Sequence, residues 1–185
     1  MPTRQAGFEK VAMPHLDSVY RMARRLTGNE TEADDLVQET FLRAYRAFET
    51  FQLRQYGAKP WLLKILHNTF YTRIGRQARQ PVAIEDVDLN EVAETEQNIT
   101  SGFAAELNWD GVDQELKGAV NALAPEYREV LLLWAIEGLA YKEIAEVCDV
   151  AIGTVMSRLF RARQQVSEKL GRYAREKRVP GSAQT

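Results

Sequence analysis

Three arginines, Arg158, Arg161 and Arg163, crowd one short stretch behind Thr154 and Ser157. Guanidinium groups on a helix face suit guanine O6 and N7 in a DNA major groove, where a good bidentate pair gives about 1–3 kcal/mol of discrimination. Thr154, Arg158, Arg161 and Gln165 fall on one face at helical spacing, with Ser157 beside them. The two hydroxyls and the helix N-terminus suit phosphate contacts, and Lys142 adds a cation just upstream. The bland alternative is a solvated basic face. A second set is Lys64, Asn68, Thr72, Arg76 and Arg79, stepping by four, four, four and three, with Tyr71 and Arg73 adjoining and Phe51 and Tyr56 ahead. Cations with nearby aromatic faces suit a single nucleic-acid strand, each stacked base contributing about 1–3 kcal/mol. Taken alone, however, Tyr and Phe beside a helix are more often core. A third set is acidic: Glu32, Asp34, Asp35 and Glu39. Asp35 and Glu39 form an unfavourable like-charge pair at i,i+4. Acids near a helix start complement its dipole; a docking face for a basic partner is the sharper reading, and spacing does not choose between them.

Catalytic chemistry finds little support. The Glu-x-x-His pairs, P-loop, nucleophile elbow and Cys/His clusters that serve metals, nucleotides or acyl transfer are missing. His15, His67 and Cys148 lie far apart and lack metal-ligand spacing, so no metal and no cofactor is expected. A lone cysteine makes no internal disulfide and suits a reducing cytoplasm. Without a run of eighteen apolar residues, a membrane span is not expected. The Met1–Gln5 start lacks the apolar segment of a secretory signal.

The elements that position these sets are helical throughout. Pro14 opens a helix carrying Leu16, Val19, Tyr20, Ala23 and Leu26, and Gly28 caps it. Thr31-Glu32-Ala33-Asp34 reads as a capping box before Val37, Phe41, Ala44 and Phe48. A loop from Glu49 to Lys59 leads to a third helix, from near Pro60 towards Arg79, that buries Leu62, Ile65, Leu66 and Thr69. Leu116, Val120 and Leu123 restart the pattern, and Pro125 opens a helix that Gly138 stops. Tyr141–Cys148 and Thr154 to about Tyr173 then read as a helix-turn-helix. Ala145 is the small residue at its crossing, and Asp149 stands where a turn glycine is usual. Val155, Leu159, Ala162 and Val166 form the inward stripe.

The net charge of −2 hides its distribution. Residues 1–80 hold 13 Lys/Arg against 8 Asp/Glu; residues 117–185 hold 11 against 8. Residues 81–116 hold 10 Asp/Glu and no Lys or Arg. Local rather than whole-chain charge sets a nucleic-acid footprint. The expected fold is therefore all-α: two small helical domains, 8–80 and 113–175, joined by an acidic flexible linker, 81–112, with a disordered tail at 176–185.

In combination these residues resemble the extracytoplasmic-function sigma factors of the sigma-70 family. Asp34-Asp35-Leu36-Val37-Gln38-Glu39-Thr40-Phe41-Leu42-Arg43-Ala44 is similar to the polymerase-binding helix of region 2. Trp61-Leu62-Leu63-Lys64-Ile65-Leu66-His67-Asn68-Thr69-Phe70 resembles the melting and minus-ten helix. Leu123-Ala124-Pro125-Glu126-Tyr127-Arg128-Glu129-Val130, with Gly153-Thr154-Val155-Met156-Ser157-Arg158-Leu159-Phe160-Arg161-Ala162-Arg163, resembles region 4. Met156 stands where many members carry Lys or another polar residue. The resemblance implies that Asp34, Asp35, Gln38, Glu39, Leu42 and Arg46 bind the clamp helices of the polymerase largest subunit, and that region 4 meets its flap region. It implies that Phe51 or Tyr56 captures a flipped minus-ten base, and that Lys64, Asn68, Tyr71, Thr72, Arg73 and Arg76 line the adjoining strand. Lys142, Thr154, Ser157, Arg158, Arg161 and Arg163 would serve the minus-thirty-five element. Expected partners are core RNA polymerase, promoter DNA and a cognate anti-sigma factor. The competing reading is an autonomous helix-turn-helix regulator on paired half-sites.

Overall fold

The computed structural model describes residues 3–50, 57–75 and 114–178. Every regular element among them is helical. Helix α1 (Arg4–Ala12), which the apolar spacing did not announce, starts where the Thr3 hydroxyl accepts from the Ala6 N–H. It buries Phe8, whose ring meets Phe41, Tyr45 and Phe48 edge-on. A short 3₁₀ turn, Met13–His15, contains Pro14, so α2 (Leu16–Thr27) begins just after the proline. Gly28 closes α2 at φ +69°, the left-handed cap that glycine adopts without Cβ strain.

Helix α3 (Glu30–Ala47) starts earlier than the Thr31 box predicts. Its N-cap is Asn29, whose side chain accepts from the Glu32 N–H at 3.2 Å. Asn is at least as good a cap as Thr, and it sits ahead of the whole acidic first turn. Helix α4 (Ala58–Ile74) follows Gly57 and ends before Gly75, short of the expected Arg79. It buries Leu62, Leu66 and Thr69 as expected, while Ile65 is only half-buried.

In the C-terminal half, α5 (Gln114–Asn121) leads to α6 (Pro125–Ala135), with Pro125 in its first turn. Proline costs nothing there, because that N–H has no intrahelical partner. Helix α7 (Tyr141–Cys148) and the long α8 (Ile152–Arg178) complete the chain. Helix α8 runs past the boundary placed at 176. Phe51, Tyr56, Arg76, Arg79 and the linker 81–112 lie outside the described residues.

Helices α2, α3 and α4 pack on one another, and α5, α6 and α7 pack around α8. The two halves also pack together, α4 on α7 and α2 on α6, so their buried apolar residues form one continuous cluster. The seam between them is polar at its edges. Glu137 is 7% exposed and accepts from Lys59 Nζ at 2.9 Å and from the Ser18 hydroxyl, with Arg25 at 3.9 Å. Lys59 also donates to the Glu137 carbonyl at 2.8 Å, and Arg128 donates to the Leu26 carbonyl at 3.0 Å. A buried carboxylate is tolerable only with such partners.

Candidate nucleic-acid interface

The C-terminal helix-turn-helix is built around a left-handed residue. Asp149 sits at φ 55° and ψ 46°, a conformation Asp tolerates better than most residues. Its N–H and that of Val150 both return to the Ala145 carbonyl, turning the chain sharply out of α7. At the start of α7, Glu143 reaches back to accept from the Ala140 N–H at 2.7 Å, as in the second half of a capping box. Helix α8 then anchors Val155, Leu159 and Ala162 without exposure, and Val166 is half-buried beside them.

That anchoring turns Thr154, Ser157 and Arg161 partly outward, with Lys142 exposed on α7. The Ser157 hydroxyl donates to the Thr154 carbonyl at 3.1 Å, leaving its oxygen lone pairs for an incoming donor. Two arginines that the resemblance assigns to the minus-thirty-five element lie partly inward. The Arg163 guanidinium lies over the Trp134 ring at 5.3 Å, and burial lowers its pKa. Beside the inward Ala162, it buttresses α6 in this arrangement. Arg158 is half-buried and lines a cavity between the halves, shared with His67 and Tyr71.

In the N-terminal half, Asp34, Gln38, Leu42 and Arg46 step by four along one exposed line of α3. Leu42 is 59% exposed, a large apolar side chain in a rim of charge. Asp35 adjoins this line. The like-charge problem of Asp35 and Glu39 is relieved from a neighbouring helix. Arg73 places Nε and Nη2 at 2.9 and 2.7 Å from one Glu39 carboxylate oxygen and donates to the Asp35 carbonyl at 2.9 Å. Arg43 approaches the other oxygen at 2.5 Å. The Arg73 hydrogen bond, with Arg43 assisting, holds the Glu39 carboxyl below its ordinary pKa. Arg73 thus ties α4 to α3 instead of standing free for a strand.

Along α4, Lys64 and Asn68 are half-exposed and Thr72 exposed, a polar line as the spacing predicts. Tyr71 does not join it. It is 5% exposed, packed on His67 and Phe70 with ring centroids at 4.6 and 5.1 Å. Its hydroxyl lies beside Glu129 outside ordinary hydrogen-bond geometry; burial, then that charge, raises its pKa. His67 Nδ1 meets Glu129 Oε1 at 2.8 Å across the seam, and Cys148 joins this pair. Sequence spacing missed the grouping, because its members come from three helices. One signal was present: Glu129 and Glu137 interrupt the most apolar part of the C-terminal half, where an acid needs a specific partner.

Among the described residues, no helix is long and apolar enough to cross a membrane. Residues 11–80 match sigma-70 region 2, and residues 113–166 match sigma-70 region 4. The extracytoplasmic-function sigma factor SigE of Mycolicibacterium smegmatis is 34% identical over 170 residues, 92% of this chain and 64% of that protein. The chain thus spans just under two thirds of that relative. EcfG of Rhodopseudomonas palustris is 35% identical over 153 residues, 83% of this chain and 79% of that protein. The sigma factor RpoE of Bartonella quintana, crystallised with the anti-sigma factor NepR, superposes with a TM-score of 0.63 at 29% identity, covering 86% of this chain and 93% of its own. CnrH, solved with the cytosolic domain of CnrY, gives 0.60 at 26% identity, covering 90% and 89%. With regions 2 and 4 in order on an all-helical fold, the chain belongs to the extracytoplasmic-function sigma factors of the sigma-70 family, transcription-initiation proteins and not enzymes.

Proposed function

We propose that this protein brings core RNA polymerase to a defined promoter class, each half supplying a separate contact. The exposed α3 line through Asp34, Gln38, Leu42 and Arg46, with Asp35 and Glu39 beside it, docks on the clamp helices of the polymerase largest subunit, and the C-terminal half meets the flap. Lys64, Asn68 and Thr72 follow the minus-ten strand, together with Phe51, Tyr56 and Arg76 from the flanking segments. Thr154, Ser157, Arg161 and Lys142 face the minus-thirty-five duplex. Tyr71 and Arg158 join their DNA surfaces only after the two halves part, because both lie at the seam in the packed arrangement, whereas Arg73 reaches the strand only by leaving Glu39 and Asp35 within its own half. The proposed domains are 8–80 and 113–175, the acidic stretch between them acting as tether in the cytoplasm. An anti-sigma partner is supported by RpoE, which was crystallised with the anti-sigma factor NepR, and CnrH was likewise solved with a partner, the cytosolic domain of CnrY.

The observation that carries the reading is the helix-turn-helix turned on Asp149, combined with an open acidic-apolar line on α3. Neither half alone is a strong DNA binder by charge; linking two modest contacts through polymerase raises their effective concentration. Run-off transcription with core polymerase, on fragments that include the protein's own upstream region, tests it. Discrete start sites that require the protein are expected. Nanomolar binding of the free protein to duplex promoter at physiological salt would instead favour an autonomous regulator.

A further inference from the structure

His67, Glu129 and Cys148 are all buried, and their ligand-type atoms lie within 4.8 Å of one another. They come from α4, α6 and α7, so the group exists only while the two halves are packed. The donor set is one imidazole nitrogen, one carboxylate oxygen and one sulfur, the mixture that late first-row divalent ions accept in a four-coordinate site. Next to it lies a cavity of about 300 Å³, lined by His67, Cys148, Tyr71, Asp149 and Arg158. It has room for a water as fourth ligand and gives an ion a way in.

We propose that this trio is a zinc-type metal site that clasps the two halves together. The charges balance: a divalent ion, the Glu129 carboxylate and the Cys148 thiolate sum to zero, so Arg158 beside them is not repelled. On binding, the Cys148 thiol gives its proton to solvent, and the Glu129–His67 hydrogen bond gives way to two metal bonds. The thiol is otherwise held protonated by burial, with Glu129 adding to the effect and Arg158 opposing it. A cation at the sulfur reverses that preference. Because an open chain lacks the site, metal favours the closed arrangement in proportion to ln(1 + [metal]/Kd). Closing keeps Tyr71 and Arg158 at the seam. Resting on the sigma-factor reading, this makes the metal a brake on initiation.

Titrating the full chain with Co²⁺ as spectroscopic probe tests the site without polymerase. The expected result is one equivalent bound, with sulfur-to-cobalt charge-transfer absorption, a released proton and displacement by Zn²⁺. Cys148→Ala should abolish the charge-transfer absorption, and His67→Gln or Glu129→Gln should weaken binding about tenfold or more. Absence of that absorption in the folded wild-type protein overturns the site even if every variant misfolds, as does its persistence in Cys148→Ala. In run-off transcription, Zn²⁺ should reduce output with the wild-type protein and leave Cys148→Ala output unchanged relative to a metal-free control. Equal output from metal-loaded and metal-free wild-type protein overturns the brake. Failure of run-off without added metal strikes the sigma-factor reading instead, so the two failures remain distinct.

Discussion

Helices α3 and α4 are neighbours in one half, yet they present their proposed partner surfaces differently. The α3 line is open: Asp34, Asp35, Gln38, Leu42 and Arg46 are all exposed. On α4 the polar line of Lys64, Asn68 and Thr72 reaches solvent, while His67 and Tyr71 are covered by α6 and α7. The same bundle can therefore offer its proposed polymerase face while part of its proposed DNA face is shut. Order of events follows from geometry: a partner can land on α3 without disturbing the seam, whereas full use of α4 requires the halves to separate.

The largest expected effect comes from the charge cluster that holds the seam. Glu137→Gln leaves Lys59 and buried Arg25 without their carboxylate. Removing one partner of a buried pair costs about 3–5 kcal/mol, less whatever is recovered when the halves part and water reaches the cations. Small-angle scattering should show a larger radius of gyration than wild type; an unchanged radius would mean the apolar contacts of α4 and α7 suffice.

Alkaline pH should weaken the same seam. Tyr71 and Cys148 both have raised pKa values, mainly through burial, from ordinary values of 10.0 and 9.0. The folded state holds these protons more tightly than the unfolded one, so stability is full below about pH 9 and falls as pH rises past it. Urea midpoints across the alkaline range should decline, and Tyr71→Phe with Cys148→Ala should flatten the decline.

A smaller effect is expected where the two surfaces are tied. Arg73→Ala leaves Glu39 with Arg43 alone and strengthens the repulsion with Asp35, costing about 0.5–1 kcal/mol for a pair this exposed. The tie also has a pH signature: Glu39's depressed pKa gives stability present above the ordinary carboxylate value of 4.5 and lost as pH falls through the lower folded value. Acid titration of the Glu39 carboxyl by NMR should show its midpoint rise in Arg73→Ala. The smallest effect on the fold belongs to Leu42→Ala, within about 0.5 kcal/mol in thermal unfolding because the side chain is already in water. Polymerase pull-down should nonetheless fall several-fold; undiminished capture would remove α3 as the docking face.

Helix periodicity makes most elements legible in the sequence. The Pro125 start, the Gly28 stop, the Val155-Leu159-Ala162 stripe and the Asp149 turn depend on local backbone preferences, and each sits where the residues place it. The observed Asn29 cap lies two residues ahead of the Thr31 box because both side chains offer a capping oxygen and Asn29 precedes the whole acidic turn. Helix α1 is not legible in the sequence because only Phe8 and Ala12 are buried, too few for a periodic signal; aromatic packing on α3 supplies what periodicity lacks.

What the sequence by itself determined was the helical class, the order of the two parts and the inward stripes of α2 and α8, since these follow from spacing of three and four along a single helix. Only the tertiary structure decided that Tyr71, Arg73, Arg158 and Arg163 have internal partners or neighbours, and that His67, Glu129 and Cys148 meet. Those groupings join residues from separate helices, and no spacing along the chain encodes the angle at which two helices cross.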